Sequence, residues 1–154
     1  MPVAKLKHFL DENNVKYVTM LHSKAFTAQE IAASAHIPGK QLAKTVMVKL
    51  GEDTSMAILP ASDRLDLAKL GAAAGQEATL CSEEEFKSLF PGCETGAMPP
   101  FGNLYGMDVW VSDSLTEDDE IAFNAGSHTE LVRLAYVDYS RLVEPSVAAF
   151  SDHE

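Results

Sequence analysis

Lys44 is the residue best placed to do chemistry, because it is the one charge on a strand face that is otherwise apolar. In Leu42-Ala43-Lys44-Thr45-Val46-Met47-Val48-Lys49-Leu50 side chains alternate between two faces. One face reads Leu42, Lys44, Val46, Val48 and Leu50; the other reads Ala43, Thr45, Met47 and Lys49. An ammonium among aliphatic neighbours loses hydration unless it lines a cleft or meets an anion. Desolvation strengthens its field, so such lysines often serve a site. The plainer alternative is an edge lysine that blocks aggregation or snorkels out at the strand end.

Two further segments carry usable groups. In Gly92-Cys93-Glu94-Thr95-Gly96-Ala97-Met98-Pro99-Pro100-Phe101-Gly102 glycine lets backbone approach a ligand, and the paired prolines stiffen the chain beyond Met98. Prolines lack amide hydrogens, so Gly96, Ala97 and Met98 hold the donors that could face a carbonyl or a developing oxyanion. An ordinary surface connection is the competing reading. Asn124-Ala125-Gly126-Ser127-His128-Thr129 reads as a hairpin turn in which Asn124 and Gly126 supply unusual backbone angles. His128 adds a group that titrates near neutrality. His22, after the first strand, is a further candidate, or a structural hydrogen-bonder.

Other chemistries are struck off by pattern. There is no G-x-S-x-G elbow, H-E-x-x-H, Walker A loop or G-x-G-x-x-G. The five histidines never pair at ligand spacing, so no metal is expected. Cys81 and Cys93 form no CxxC and are expected as reduced cytosolic thiols. A net charge of -11 argues against non-specific binding along a nucleic-acid backbone. It leaves room for a small basic patch gripping one RNA end. Acidic runs at Glu83-Glu84-Glu85, Glu117-Asp118-Asp119-Glu120 and Asp152-His153-Glu154 read as solvated faces and helix first turns. Neither a signal peptide nor a membrane span is expected, and the expected location is the cytoplasm.

Periodicity and punctuation define the elements that must position these residues. Val3, Leu6, Phe9 and Leu10 have helical spacing, ending at Asn13-Asn14. Tyr17–Leu21 reads as a strand. Thr27-Ala28-Gln29-Glu30 is a capping box opening a helix to about Ala35. The Lys44 strand turns at Gly51-Glu52-Asp53-Thr54 and returns as Ser55–Leu59, a hairpin. Asp66–Ala73 reads as a helix closed by Gly75, Ala78–Cys81 as a strand, and Ser82–Phe90 as a capped helix. Strands are expected at 108–111, 120–123 and 130–135, with a helical turn at 137–142. The mixture gives an α+β fold with a mixed, mainly antiparallel sheet and flanking helices, one domain over 1–154.

Taken in order, these segments resemble the YbaK/EbsC family, relatives of the editing domain inserted in bacterial prolyl-tRNA synthetases. The matching pieces are His22 with the Thr27–Ala35 helix, Leu42–Val48, Leu59-Pro60, Arg64-Leu65-Asp66-Leu67, Gly96–Gly102 and Asn124–His128. The resemblance implies a compact α/β fold with a curved mixed sheet. It implies hydrolysis of wrongly attached amino acids from tRNA, without metal, cofactor or covalent enzyme intermediate, by a free-standing, trans-acting editor. The family's functional lysine maps onto Lys44, its G-x-x-x-P loop onto Gly96–Pro100, and its glycine-histidine segment onto Gly126-Ser127-His128.

An aminoacyl ester is already activated, so positioning its carbonyl, stabilising the oxyanion and admitting water suffices. Within the resemblance, Lys44 would hold the terminal ribose-phosphate or the ester carbonyl, and the Gly96 and Ala97 amides would receive the oxyanion. His22, Pro100, Gly102, Gly126, Ser127 and His128 would bind substrate, while Met98 and Phe101 would wall a pocket that sorts side chains by size. Alanyl-, cysteinyl- and seryl-tRNA are the expected substrates, with tRNA-Pro as a carrier, and a synthetase is an expected partner. An RNA path is expected along Lys5, Lys7, Lys16, Lys24, Lys40 and Lys44. The alternative is a non-catalytic module that binds a nucleotide, an aminoacyl ligand or a synthetase.

Overall fold

The computed structural model describes residues 2–21, 42–82, 84, 98–117, 119–126 and 130–153. Helix α1 (Pro2–Glu12) buries Leu6 and Leu10 completely. It ends where Asn14 turns left-handed at φ 57 and the Asn13 side chain donates to the Phe9 carbonyl at 2.8 Å. β1 (Tyr17–Leu21) follows, and beyond residue 41 come β2 (Ala43–Leu50) and β3 (Asp53–Pro60). Only Gly51 (φ 65) and Glu52 form the turn of this hairpin, so the returning strand begins two residues earlier than the sequence suggested.

A short β4 (Asp63–Leu65) leads to α2 (Leu67–Ala74). Asp66 caps α2 by accepting from the Lys69 amide at 3.0 Å, and Gly75 closes it at φ 70. β5 (Ala78–Leu80), β6 (Asp108–Ser112), β7 (Glu120–Asn124), β8 (Glu130–Ala135) and α3 (Tyr136–Val143) fall where periodicity placed them. β9 (Ser146–Ala148) and β10 (Ser151–His153) were not anticipated. Asp152 and His153 of the acidic tail thus lie in a strand that pairs with β4, and Asp152 stays exposed as expected. The helices expected at 27–35 and 82–90 lie almost wholly outside the described residues.

The described residues form three sheets: β5-β2-β3-β6-β9, β1-β8-β7 and β10-β4. Pairing is antiparallel except β3 with β6 and β6 with β9, so the mixed, mainly antiparallel α+β expectation holds. The two larger sheets meet where Leu42 forms a parallel bridge to Ala122.

Both faces of β2 are covered. Ala43 and Met47 join Met56, Ile58, Val109, Val111, Ile121 and Phe123 in the largest apolar cluster. Val48 and Leu50 face the other way, onto Leu59, Leu70 and Phe150. Each fully buried side chain of this size contributes about 1.5–3 kcal/mol, so the strand is pinned from both sides and its register is fixed.

Candidate functional site

Lys44 extends from β2 on the face shared with Leu42, Val46 and Val48, opposite Leu59 of β3. It is half-buried, and its Nζ donates to the Asp63 carbonyl at 2.6 Å. That carbonyl is in reach because the chain reverses after β3, where the Ala61 amide donates to the Leu42 carbonyl at 2.7 Å. A hydrogen bond from a charged donor contributes about 1.5–3 kcal/mol, less than the several kcal/mol that full desolvation of an ammonium costs. Among the described residues this is the hydrogen bond of its ammonium, and two N–H groups remain for water, an anionic ligand or another part of the chain.

Among the described residues the sheet is unpaired beside this lysine. β5 pairs only with Val48–Leu50, and the Cys81 amide reaches the Met47 carbonyl at 3.0 Å. Below that point the only strand among the described residues on this side of β2 is β7, met at the Leu42–Ala122 bridge. Among the described residues this fork between β5 and β7 leaves an edge of β2 unpaired, the kind of gap through which a ligand reaches side chains that a continuous sheet would bury.

Register then fixes which residues share the face. Leu42 and Ala122 are opposed in a parallel bridge, so Lys44 and Asn124, two residues on, face the same way. Asn124 ends β7 opposite Leu131, in ordinary extended backbone; of the hairpin residues expected to have unusual angles, only Gly126 does, at φ 97. Among the described residues, the Asn124 Oδ1 is buried with no hydrogen-bond partner, a condition native structures rarely leave without cause. Arg133 lies opposite Ala122 in the β7–β8 pair and so brings a guanidinium to this face. Its Nε stands 3.8 Å from Glu120 Oε2.

Other predicted residues lie elsewhere. Met98 and Phe101 belong to the cluster containing Ala43 and Met47, on the opposite face of β2 from Lys44. Phe101, expected as a pocket wall, has no exposed surface and packs against Phe9, Phe123 and Tyr139 at centroid distances of 6.1, 5.5 and 5.3 Å. Pro100 is buried, and its carbonyl accepts from Tyr139 Oη at 2.6 Å. A Cβ on Gly102 would come within 2.6 Å of the Val109 side chain and 2.7 Å of the Met107 carbonyl. Pro100, Phe101 and Gly102 thus anchor the end of the glycine-rich segment in the core. His22, Gly96, Ala97, Ser127 and His128 lie outside the described residues.

Of the lysines expected to form an RNA path, Lys24 and Lys40 lie outside the described residues and Lys16 is exposed. Lys5 donates to the Leu104 carbonyl at 2.9 Å and sits 4.6 Å over the Tyr105 ring, and Lys7 pairs with Glu130 at 2.8 Å. Open clefts of about 320 and 400 Å³ adjoin Met107 and Asp108, contain Asp53 and Glu144, and include no predicted site residue. Carboxylates there repel a phosphate chain. Asn124 and Arg133 were missed as site residues. Arg133 sits among apolar residues in Leu131-Val132-Arg133-Leu134, so the argument made for Lys44 applied to it equally.

A family model for the aminoacyl-tRNA editing domain matches residues 22–142, an interval that includes Lys44, Asn124 and Arg133. The chain belongs to this family. Over 98 residues it is 39% identical to the multifunctional Ser/Thr-tRNA deacylase ProXp-y of Escherichia coli, and equally to that protein from a second strain. The match covers 62% of this chain and 58% of the relative, so the chain spans less than two thirds of the length of these curated relatives. A solved structure described as a candidate trans-editing enzyme for prolyl tRNA synthetase superposes with a TM-score of 0.84 at 20% identity, covering 98% of this chain and 97% of that one. The hypothetical protein APE2540 gives 0.84 at 19%, covering 96% and 99%. At such identities the likeness is one of fold. Among the described residues, no helix of this editing domain is long and apolar enough to cross a membrane.

Proposed function

We propose that this editing domain is a trans-acting aminoacyl-tRNA deacylase of the cytoplasm, with seryl- and threonyl-tRNA as its first substrates. The observation that carries the reading is the face of the sheet junction where, among the described residues, Lys44 Nζ makes one hydrogen bond and the buried Asn124 Oδ1 makes none. Water attacks the ester carbonyl and the acyl–oxygen bond breaks. The amino acid leaves as its carboxylic acid, and the tRNA terminal ribose regains its hydroxyl. Lys44 holds the terminal phosphate or the carbonyl oxygen as negative charge develops. A tRNA ribose hydroxyl assists the water. The Gly96 and Ala97 amides receive the oxyanion, and His128 orients the terminal adenosine.

Seryl and threonyl substrates carry a side-chain hydroxyl, and a buried acceptor such as Asn124 Oδ1 suits that group. A site built to bond a hydroxyl rejects the analogue lacking it far more strongly than a methylene pocket sorts by size. Alanyl- and cysteinyl-tRNA are the comparison substrates. Arg133 supplies a phosphate contact near the acceptor end, which lets a chain of net charge -11 bind RNA locally. A synthetase partner would supply further affinity.

Deacylation of seryl-, threonyl-, alanyl- and cysteinyl-tRNA tests this directly. Wild type is expected to release serine and threonine faster than alanine, and Lys44→Ala to lower the rate by about 100-fold or more. Binding every substrate intact while releasing none would establish the non-catalytic module instead. Arg133→Ala is expected to raise KM and reduce the salt slope of binding by about one ion, with little change in kcat.

A further inference from the structure

We propose that Asp63, Ser151 and Ser112 are positioning residues for Lys44, acting through the carbonyl that holds its ammonium. The inference rests on the deacylase reading for its kinetic consequence but not for its geometry. Asp63 is 8% exposed, and while its carbonyl accepts from Lys44 Nζ at 2.6 Å, its carboxylate Oδ2 accepts from Ser151 Oγ at 2.9 Å. Ser151 Oγ lies 2.6 Å from Ser112 Oγ, which is fully buried and 3.0 Å from Ser114 Oγ.

A carboxylate can only accept, and this fixes the sense of the chain. Ser151 gives its one proton to Asp63, so Ser112 donates to Ser151 and Ser114 donates to Ser112. The line runs from the end of β6 through β10 into β4. At its far end it holds the peptide unit that locates Lys44.

The surrounding strands make this a rigid mount. β10 pairs with β4 through Ser151–Leu65, Asp152–Arg64 and His153–Asp63. Phe150, fully buried, offers its carbonyl to the Asp66 amide at 2.7 Å. An ammonium on four rotatable bonds loses its preferred position when the carbonyl that fixes it shifts, and small misplacements reduce rate steeply.

The test compares wild type with Ser151→Ala, Ser151→Thr, Asp63→Asn and Lys69→Ala. Kinetics are measured on seryl-tRNA, and labelling of Lys44 by acetic anhydride is followed by mass spectrometry. Ser151→Ala is expected to lower kcat about tenfold while KM changes less than about twofold, and to speed acetylation of Lys44. Ser151→Thr and Asp63→Asn keep a donor and an acceptor and should restore both readouts to near wild type. Lys69→Ala cuts only the surface pair of Lys69 with Asp152 at 2.9 Å, and should leave both readouts unchanged. Equal acetylation and equal kcat in wild type and Ser151→Ala would overturn the proposal. So would an equal loss in Lys69→Ala, because general loosening of β10 would then suffice. If wild type hydrolyses no substrate, the deacylase reading fails and the acetylation rates alone decide whether the mount exists.

Discussion

Lys44 and Met47 stand three residues apart on β2, yet their side chains enter environments held together by different physics. On Lys44's face, beside the fork, order comes from polar bonds: an ammonium on a carbonyl, and behind it a carboxylate and three serine hydroxyls. On the Met47 face, order comes from rings and aliphatic groups, with Phe101 between Phe9, Phe123 and Tyr139. Hydrogen bonds are directional and place an atom, whereas apolar contacts add energy with little preference for direction. A strand with both kinds on its two faces can support a precise cation and a stable core at once. Damage at the Lys44 end of its face should therefore register in rate, and damage to the Met47 face in stability.

The largest expected effect is on the polar face. Lys44→Met removes the cation and keeps most of the stem, so the deacylation rate should fall by about 100-fold or more while the thermal midpoint barely moves. Phe101→Ala is the mirror experiment. It should cost about 3–5 kcal/mol in urea unfolding, while the molecules still folded keep their KM. A Phe101 variant that stays stable but loses substrate discrimination would return this residue to the pocket.

Tyr139→Phe separates the two kinds of order within one residue, because the ring stays and only the bond to the Pro100 carbonyl goes. A loss of about 1–3 kcal/mol is expected, since a buried acceptor is left unpaired. Burial, and after it the neighbouring Tyr136, pushes the Tyr139 phenol well above its ordinary value. An unfolded chain releases that proton near pH 10 and the folded chain keeps it. Stability from this group is thus complete below about pH 10 and declines as pH rises past it. Urea midpoints across the alkaline range should fall more steeply for wild type than for Tyr139→Phe.

The smallest effect belongs to the surface pair on β10. The hydrogen bond from Lys69 holds the Asp152 carboxyl below its usual range, and the same bond raises Lys69. This contribution is present above the ordinary carboxylate pKa of about 3.9 and is lost as pH falls through the lowered value. Both groups are exposed, so the difference between wild type and Lys69→Ala should be slight near neutrality. It should vanish in strong acid or high salt.

Much of this arrangement was legible from local signals. Asp66 and Gly75 announced both ends of α2, and alternation in 42–50 gave the strand and the two faces that the clusters confirm. Long-range pairing was not legible. Nothing in Ser146–His153 marks two strands, because three-residue strands carry too little alternation to register, and their partners lie far away in sequence. Phe101 was misplaced for a related reason. A proline-rich loop suggests surface, and only the aromatic residues of α1, β7 and α3 reveal that its end is driven inward. Asp63 was invisible because its main chain, not its side chain, meets Lys44.

Ser151 lies 88 residues beyond the aspartate it bonds. During synthesis at about 5–20 residues per second, Lys44 and its hairpin leave the ribosome many seconds before the strand that completes their mount. Sheet pairing over such a separation closes late. The nascent chain can thus pair β2 with β3 while its lysine is still loosely set. The precision of the Lys44 ammonium is therefore set by a later-made part of the chain than the strand that carries it.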